Sequence, residues 1–241
     1  MTNELLTKTL AQIVNENHQA ASVFEKYNLD FCCKGKRSLQ KACEEIELSA
    51  QSIAEELSTV VEKKRSIIDF DKLSLSALVD YIVVTHHDYT KKELPQISSF
   101  LQKIASKHGG RHPELFRVFE FFSLLEQEMK DHMRKEELIL FPRIKDLETS
   151  KKEYDQCRMN IQSPITVMED EHEHAGRLLE NIRLLSNNYI APVDACTTYR
   201  ICFAALKAFE MDLHQHVHLE NNILFPKAID LFNQQCKTDL N

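Results

Sequence analysis

Two stretches of the chain read alike: HMRKEELILFP at 132–142 and HVHLENNILFP at 216–226. Both have the form H-x3-E-x2-I-L-F-P, and they are offset by 84 residues. A histidine stands ahead of each at nearly the same distance, His87 by 45 residues and His172 by 44. Residues from about 73 onward therefore read as two copies of one helix pair. Two such pairs related by a pseudo-twofold axis make a four-helix bundle, and the fold expected is all-α.

The helices can be placed from their ends. The first spans about 73–108, meets Pro95, which should kink it, and stops at Gly109-Gly110. The second opens at Pro113 and runs to about 147. A polar connector, 149–163, leads to the third, 164–187, with Ser163 as its cap and Asn187-Asn188 as its end. Asp194 is the expected cap of the fourth, which runs to about 233. Residues 1–57 form a small helical unit of their own, residues 58–72 a linker, and residues 73–235 the bundle.

Each helix can be phased by its apolar stripe. The stripes are Val83, His87, Leu94, Ile97, Leu101, Ile104; then Leu115, Val118, Phe122, Leu125, Met129, His132, Glu136, Ile139; then Ile165, Met168, His172, Ala175, Leu179, Ile182; and Cys202, Ala205, Phe209, Leu213, His216, Glu220, Ile223. His86, His174, His214 and His218 fall off these stripes and are expected to be solvated or to support the inward ones, and His108 reads as a helix-end histidine.

The stripes thus carry four histidines and two glutamates inward. A bare buried carboxylate is very costly, so Glu136 and Glu220 must be protonated, paired or bound to cations. A histidine and a glutamate four residues apart share one helical face and can address one point. A lone buried histidine is usually a satisfied core residue, but six matched ligands suit a pair of metals. Imidazole with carboxylate serves iron, manganese or zinc, and a single tetrahedral zinc would need only four ligands.

Composition narrows the function. The chain has 241 residues, only 4 Gly and 6 Pro, and a formal charge of −7, which argues against nucleic acid as a partner. No apolar run of membrane-spanning length is seen, and MTNELLTKTLAQ does not read as a secretory signal, so a cytoplasmic protein without a membrane partner is expected. Seven cysteines (32, 33, 43, 157, 196, 202, 236) without a framework spacing read as free thiols, with Cys32-Cys33 the pair to watch. The other five read as structural.

Residues 78–231 resemble the hemerythrin-like HHE domain, and nearly the whole chain resembles the bacterial RIC (repair of iron centres) family. The stretches that carry this are Tyr27–Cys33 (YNLDFCC), His87-Asp88 with Leu94-Pro95, HMRKEE at 132–137, LFP at 140–142, VMEDEH at 167–172, ACTT at 195–198 and LENN at 219–222. The resemblance implies two non-haem irons on His87, His132, Glu136, His172, His216 and Glu220, bridged by the two glutamates with an oxo or hydroxo group. It implies repair of iron–sulfur clusters under nitric-oxide or oxidative stress, damaged iron–sulfur proteins as clients, and nitric oxide or O2 as small ligands. Cys32 and Cys33 would accept or pass the iron or reduce the centre. Reduction of nitric oxide or peroxide, or reversible O2/NO binding, are the alternatives, and a homodimer through residues 1–57 is open. The family usually follows its paired cysteines with Gly-Gly, whereas this chain has Lys34-Gly35. A changed loop shape is expected from Lys34, with Lys34 and Lys36 favouring thiolates.

Overall fold

The computed structural model describes residues 2–61, 68–149 and 160–238. Parts of the expected linker (62–67) and connector (150–159, with Cys157) lie outside the described residues. Among those described, helices dominate, the one β-type pairing is an isolated bridge between Thr9 and Ser38, and no helix is long and apolar enough to cross a membrane.

Short helices α1 (Thr2–Thr7), α2 (Leu10–Glu16), α3 (Ala20–Lys26), α4 (Leu39–Glu44) and α5 (Ala50–Val61) build the N-terminal unit. Their starts are locally encoded. Thr9 and Gln12 form a reciprocal capping box on α2, and Ser38 caps α4 through the Lys41 amide. Helix α5 runs past the expected boundary at 57, and Phe70 is buried against His18 and Tyr81.

The bundle comes next. Its first helix is α6 (Leu75–Ile82) and α7 (Asp88–His108); its second is α8 (Glu114–Lys135) and α9 (Phe141–Thr149). The third is α10 (Gln162–Leu185), and the fourth is α11 (Thr197–Leu219) and α12 (Phe225–Thr238). Helix α8 packs on α7 and α10, and α11 packs on α7. Pro95 sits inside α7 without ending it.

Three π turns join the halves: Val83–His87, Glu136–Leu140 and Glu220–Leu224. Each holds one of the six inward residues at its end or start. Pro142 and Pro226 stand two residues past the ends of two of them, where each withholds an amide that a regular helix would use and crowds the carbonyl four residues back. A widened turn upstream accommodates both defects. The extra residue rotates the downstream half of the helix by about one residue's turn. Hence Ile139, expected inward, is 47% exposed, while Leu140 is buried.

Two other helix starts differ from expectation. Asn160, rather than Ser163, supplies the side chain that receives an early amide of α10, from Gln162 at 2.8 Å. Asp194 lies two residues before the N-cap Cys196 and pairs with His112 and Arg111 instead. Asn187, Asn188 and Tyr189 all take left-handed backbone and end the third helix, as the Asn-Asn pair predicts.

The apolar interior forms two clusters. One joins the N-terminal unit to the distal bundle through residues such as Phe24, Phe31, Leu101, Phe122, Leu179 and Phe209. The other gathers Leu78, Ile82, Ile144, Ile165, Leu224 and Phe225. Along every bundle helix the inward histidines and glutamates fall between the two.

Among the other cysteines, Cys43 and Cys202 are buried thiols, and burial pushes Cys202 up to about 12. Two of the remaining cysteines depart from expectation. Cys196 is exposed, with its Sγ 3.2 Å from His108 Nε2, and Cys236 is disulfide-bonded rather than free.

Gly35 is the glycine that the N-terminal unit cannot replace. A Cβ there would stand 2.3 Å from the Phe31 carbonyl oxygen and 3.0 Å from Ala11 Cβ, while the Gly35 carbonyl accepts the Ala11 amide at 2.9 Å. Gly35→Ala is expected to cost about 1–3 kcal/mol in a urea titration, as overpacking of a close backbone approach. An unchanged midpoint would show that the loop can shift at no cost.

Candidate metal centre

All six inward residues converge between the two apolar clusters. His87, His216, Glu136 and Glu220 are fully buried, and His132 and His172 are 2% exposed. Ligand atoms of His87, Glu136, His216 and Glu220 all lie within 4.8 Å of one another, and so do those of His132, Glu136, His172 and Glu220. Both glutamates belong to both groups. Glu220 divides its oxygens, Oε1 being 2.9 Å from His216 Nε2 and Oε2 3.1 Å from His172 Nε2. Glu136 presents Oε2 at 3.3 Å to both His87 and His132.

The imidazoles are aimed by their far nitrogens. His87 Nδ1 meets Glu137 at 2.7 Å, His132 Nδ1 meets Glu171 at 2.9 Å, and His172 Nδ1 meets Asn221 Oδ1 at 2.8 Å. An acceptor there holds the proton on Nδ1 and leaves the Nε2 lone pair facing inward. His87 and His216 bring their Nε2 atoms to 3.2 Å, and His132 and His172 to 3.0 Å. Phe141 stacks on His87 and Phe225 on His172, so the phenylalanine of each L-F-P floors the lone histidine of its own copy.

This donor set fits cations. Both oxygens of Glu136 and Oε2 of Glu220 are buried without a hydrogen bond. Orphaned carboxylate oxygens inside an apolar shell are costly unless positive charge meets them. In the metal-free chain, protons on His87 and His132 take that part, because nearby carboxylates outweigh burial there, whereas burial pushes His216 down. Burial opposes charge on His132, but Glu136 and Glu171 outweigh it and raise the imidazole to about 10. Glu171 falls to about 2 through its bond to His132, with help from Lys135. Burial likewise opposes charge on Glu220, yet His216 and His172 hold it well below the usual carboxylate range.

Supporting residues were harder to find in the sequence. Glu137 and Asn221 each directly follow an inward glutamate, a signal the repeat contained. His86 and His218, expected to be solvated or to support the inward histidines, are 3% and 1% exposed. His86 bonds Asp212 at 3.0 Å and stacks on His216. His218 bonds Asn15 at 2.8 Å. His174 is half exposed, and His214 binds Glu25 of the N-terminal unit at 2.6 Å.

The remaining candidates, Cys32 and Cys33, lie on the loop that docks against the fourth helix. The Asp30 Oδ1 atom accepts the amides of Cys32, Cys33 and Lys34 and fixes the loop. Asn222 donates to the Cys32 carbonyl at 2.9 Å. The two Sγ atoms are 3.8 Å apart, and Asp30, Cys32 and Cys33 form a third group of clustered ligand atoms. A cavity of about 340 Å³ is lined by both cysteines and reaches His172. The thiolate expectation fails for Cys32: its hydrogen bond to Cys33, burial and the nearby Asp30 raise its pKa well above a free thiol. Lys34 has no left-handed backbone, so the loop does not need glycine there.

Residues 78–228 match the hemerythrin HHE cation binding domain, and residues 6–61 match a domain of unknown function, ScdA_N (DUF542). The chain is 34% identical over 220 residues to the iron–sulfur cluster repair protein YtfE of Enterobacter sp. (strain 638), covering 91% of this chain and 96% of that one. It is 35% identical over 211 residues to the protein of that name from Citrobacter koseri, covering 88% and 91%. The chain belongs to the hemerythrin HHE family, alongside the YtfE iron–sulfur cluster repair proteins. In this HHE protein the four bundle helices carry the six clustered histidines and glutamates, and the ScdA_N unit carries the paired cysteines.

Proposed function

We propose that this chain repairs damaged iron–sulfur clusters by giving them ferrous iron from a pair of non-haem irons held by His87, His132, Glu136, His172, His216 and Glu220. The observation that carries the reading is the sharing of two buried, otherwise unpartnered carboxylates between two histidine pairs. The relatives' name supplies the chemical purpose. Bound there, the irons would supply transferable ferrous ions. The chain's own residues do the rest. Glu137, Glu171 and Asn221 keep three imidazoles turned inward. The carboxylates neutralise the charge, and the apolar clusters keep bulk water from both sides. When an ion leaves, protons return to His87 and His132, which face the carboxylates, so the buried negative charge does not stand alone. Cys32 and Cys33, which line the cavity that reaches His172, would receive the ion on its way out. Clients in this reading are cytoplasmic proteins whose clusters nitric oxide or oxidants have damaged.

A ferrous ion added to a reduced three-iron cluster restores a four-iron cluster with no further electron. The test is therefore anaerobic incubation of 57Fe-loaded protein with an enzyme carrying a reduced [3Fe–4S] cluster. Activity should return in proportion to label found in the client, and Cys32→Ser/Cys33→Ser should slow the transfer. Label that stays on this protein would end the repair reading. Catalytic nitrous oxide from added nitric oxide over many turnovers would put an enzyme in its place.

A further inference from the structure

We infer that the two metal positions are unequal, and that the position between His87 and His216 releases its ion first. This rests on the di-metal reading above.

The repeated sequence allows the two copies to be compared residue by residue. In each copy, the residue after the inward glutamate supports the lone histidine of the same copy: Glu137 holds His87, and Asn221 holds His172. In the second copy, the residue before the lone histidine supports the other copy's paired histidine: Glu171 holds His132 Nδ1. Its counterpart in the first copy is the residue before His87, which is His86. The symmetry fails at this residue. His86 lies flat on His216, with ring planes 3° apart, and turns its own Nδ1 to Asp212. His216 Nδ1 is left as a fully buried nitrogen without a hydrogen-bond partner.

One pair of imidazoles thus has both far nitrogens held, while the other has one held and one free. A carboxylate or carbonyl on the far nitrogen fixes the ring and strengthens its donor atom, and losing such a partner typically weakens a metal by about 10–100-fold. His132 and His172 therefore grip more tightly than His87 and His216. Glu137 and Glu171 are each anchored by a lysine, Lys91 and Lys135, so the difference between the positions lies at His216.

The measurement is release of ferrous iron from the fully loaded protein to an excess of chelator, followed in a stopped-flow instrument under anaerobic conditions. Two phases of one equivalent each are expected, separated by about 10–100-fold in rate. Frozen at the end of the fast phase, a 57Fe sample should have lost one of two Mössbauer doublets. Asn221→Ala should speed the slow phase alone, and Asn221→Asp, which keeps an acceptor, should restore it. His86→Gln places an acceptor opposite His216 and should slow the fast phase. Release of both equivalents in a single phase, or acceleration of the fast phase by Asn221→Ala, would overturn the inequality. Repair activity with single-phase release would defeat this inference and leave the repair reading standing. Two-phase release without transfer to a client would do the reverse. Loading of fewer than two equivalents would defeat both.

Discussion

Glu220→Gln is expected to strip both metal positions at once, whereas His87→Ala is expected to strip one. Glu220 gives one oxygen to each side, at 2.9 Å from His216 and 3.1 Å from His172. Glutamine has one acceptor oxygen and no charge, so it can serve neither position as the carboxylate does. Removal of even a supporting partner weakens a metal by about 10–100-fold, so loss of a shared ligand should exceed that at both positions. Metal per chain, read by elemental analysis after desalting, should fall well below half of the wild-type value. For His87→Ala it should stay near half. Helical content should hold in both, because the apolar clusters on either side are untouched. Near-complete retention of metal by Glu220→Gln would show that Glu220 does not bridge.

Metal affinity should climb steeply with pH. In the metal-free chain Glu136 and Glu171 hold His132 protonated, with its pKa up to about 10. A metal needs the Nε2 lone pair and must displace that proton. Each proton displaced steepens binding by about tenfold per pH unit below the raised value. Isothermal titration in buffers of different ionisation enthalpy should report proton release on binding at neutral pH, and affinity independent of pH between 6 and 9 would contradict the assignment. The same groups shape the metal-free fold. The raised His132 stabilises it fully below about pH 6.5, and this is lost as pH rises through about 10. Glu171, depressed to about 2, contributes above about pH 4.5 and ceases to as pH falls through about 2. Without metal, stability should therefore decline on the alkaline side; with metal bound, that decline should shrink.

How far the sequence reaches can be judged residue by residue. The stripe through Leu115, Val118, Phe122, Leu125, Met129, His132 and Glu136 is legible because an uninterrupted α-helix keeps its period, and all seven are buried. Legibility ends one step later, at Ile139, because a π turn inserts a residue that periodicity cannot anticipate. His86 and His218 illustrate a second limit. Both lie off the stripe of their own helix, yet His86 is enclosed by His216 and Tyr81, and His218 by Phe31 and Asn15. Apart from Tyr81, those partners come from other parts of the chain. The docking of residues 2–61 depends on side-chain matches such as Glu25 with His214, which no local pattern announces.

One π turn has a wider consequence. Its consecutive residues Glu220, Asn221 and Asn222 touch the metal position, the ring of His172 and the carbonyl of Cys32. Three neighbours on one stiff turn cannot be moved independently, so the centre and the cysteine loop form a single thermodynamic unit. Whatever free energy an ion contributes by ordering Glu220 also tightens the seat of Cys32, and linkage requires the reverse to the same degree. In the repair proposal, a client that pulls on the loop would thereby loosen the grip on the iron it collects.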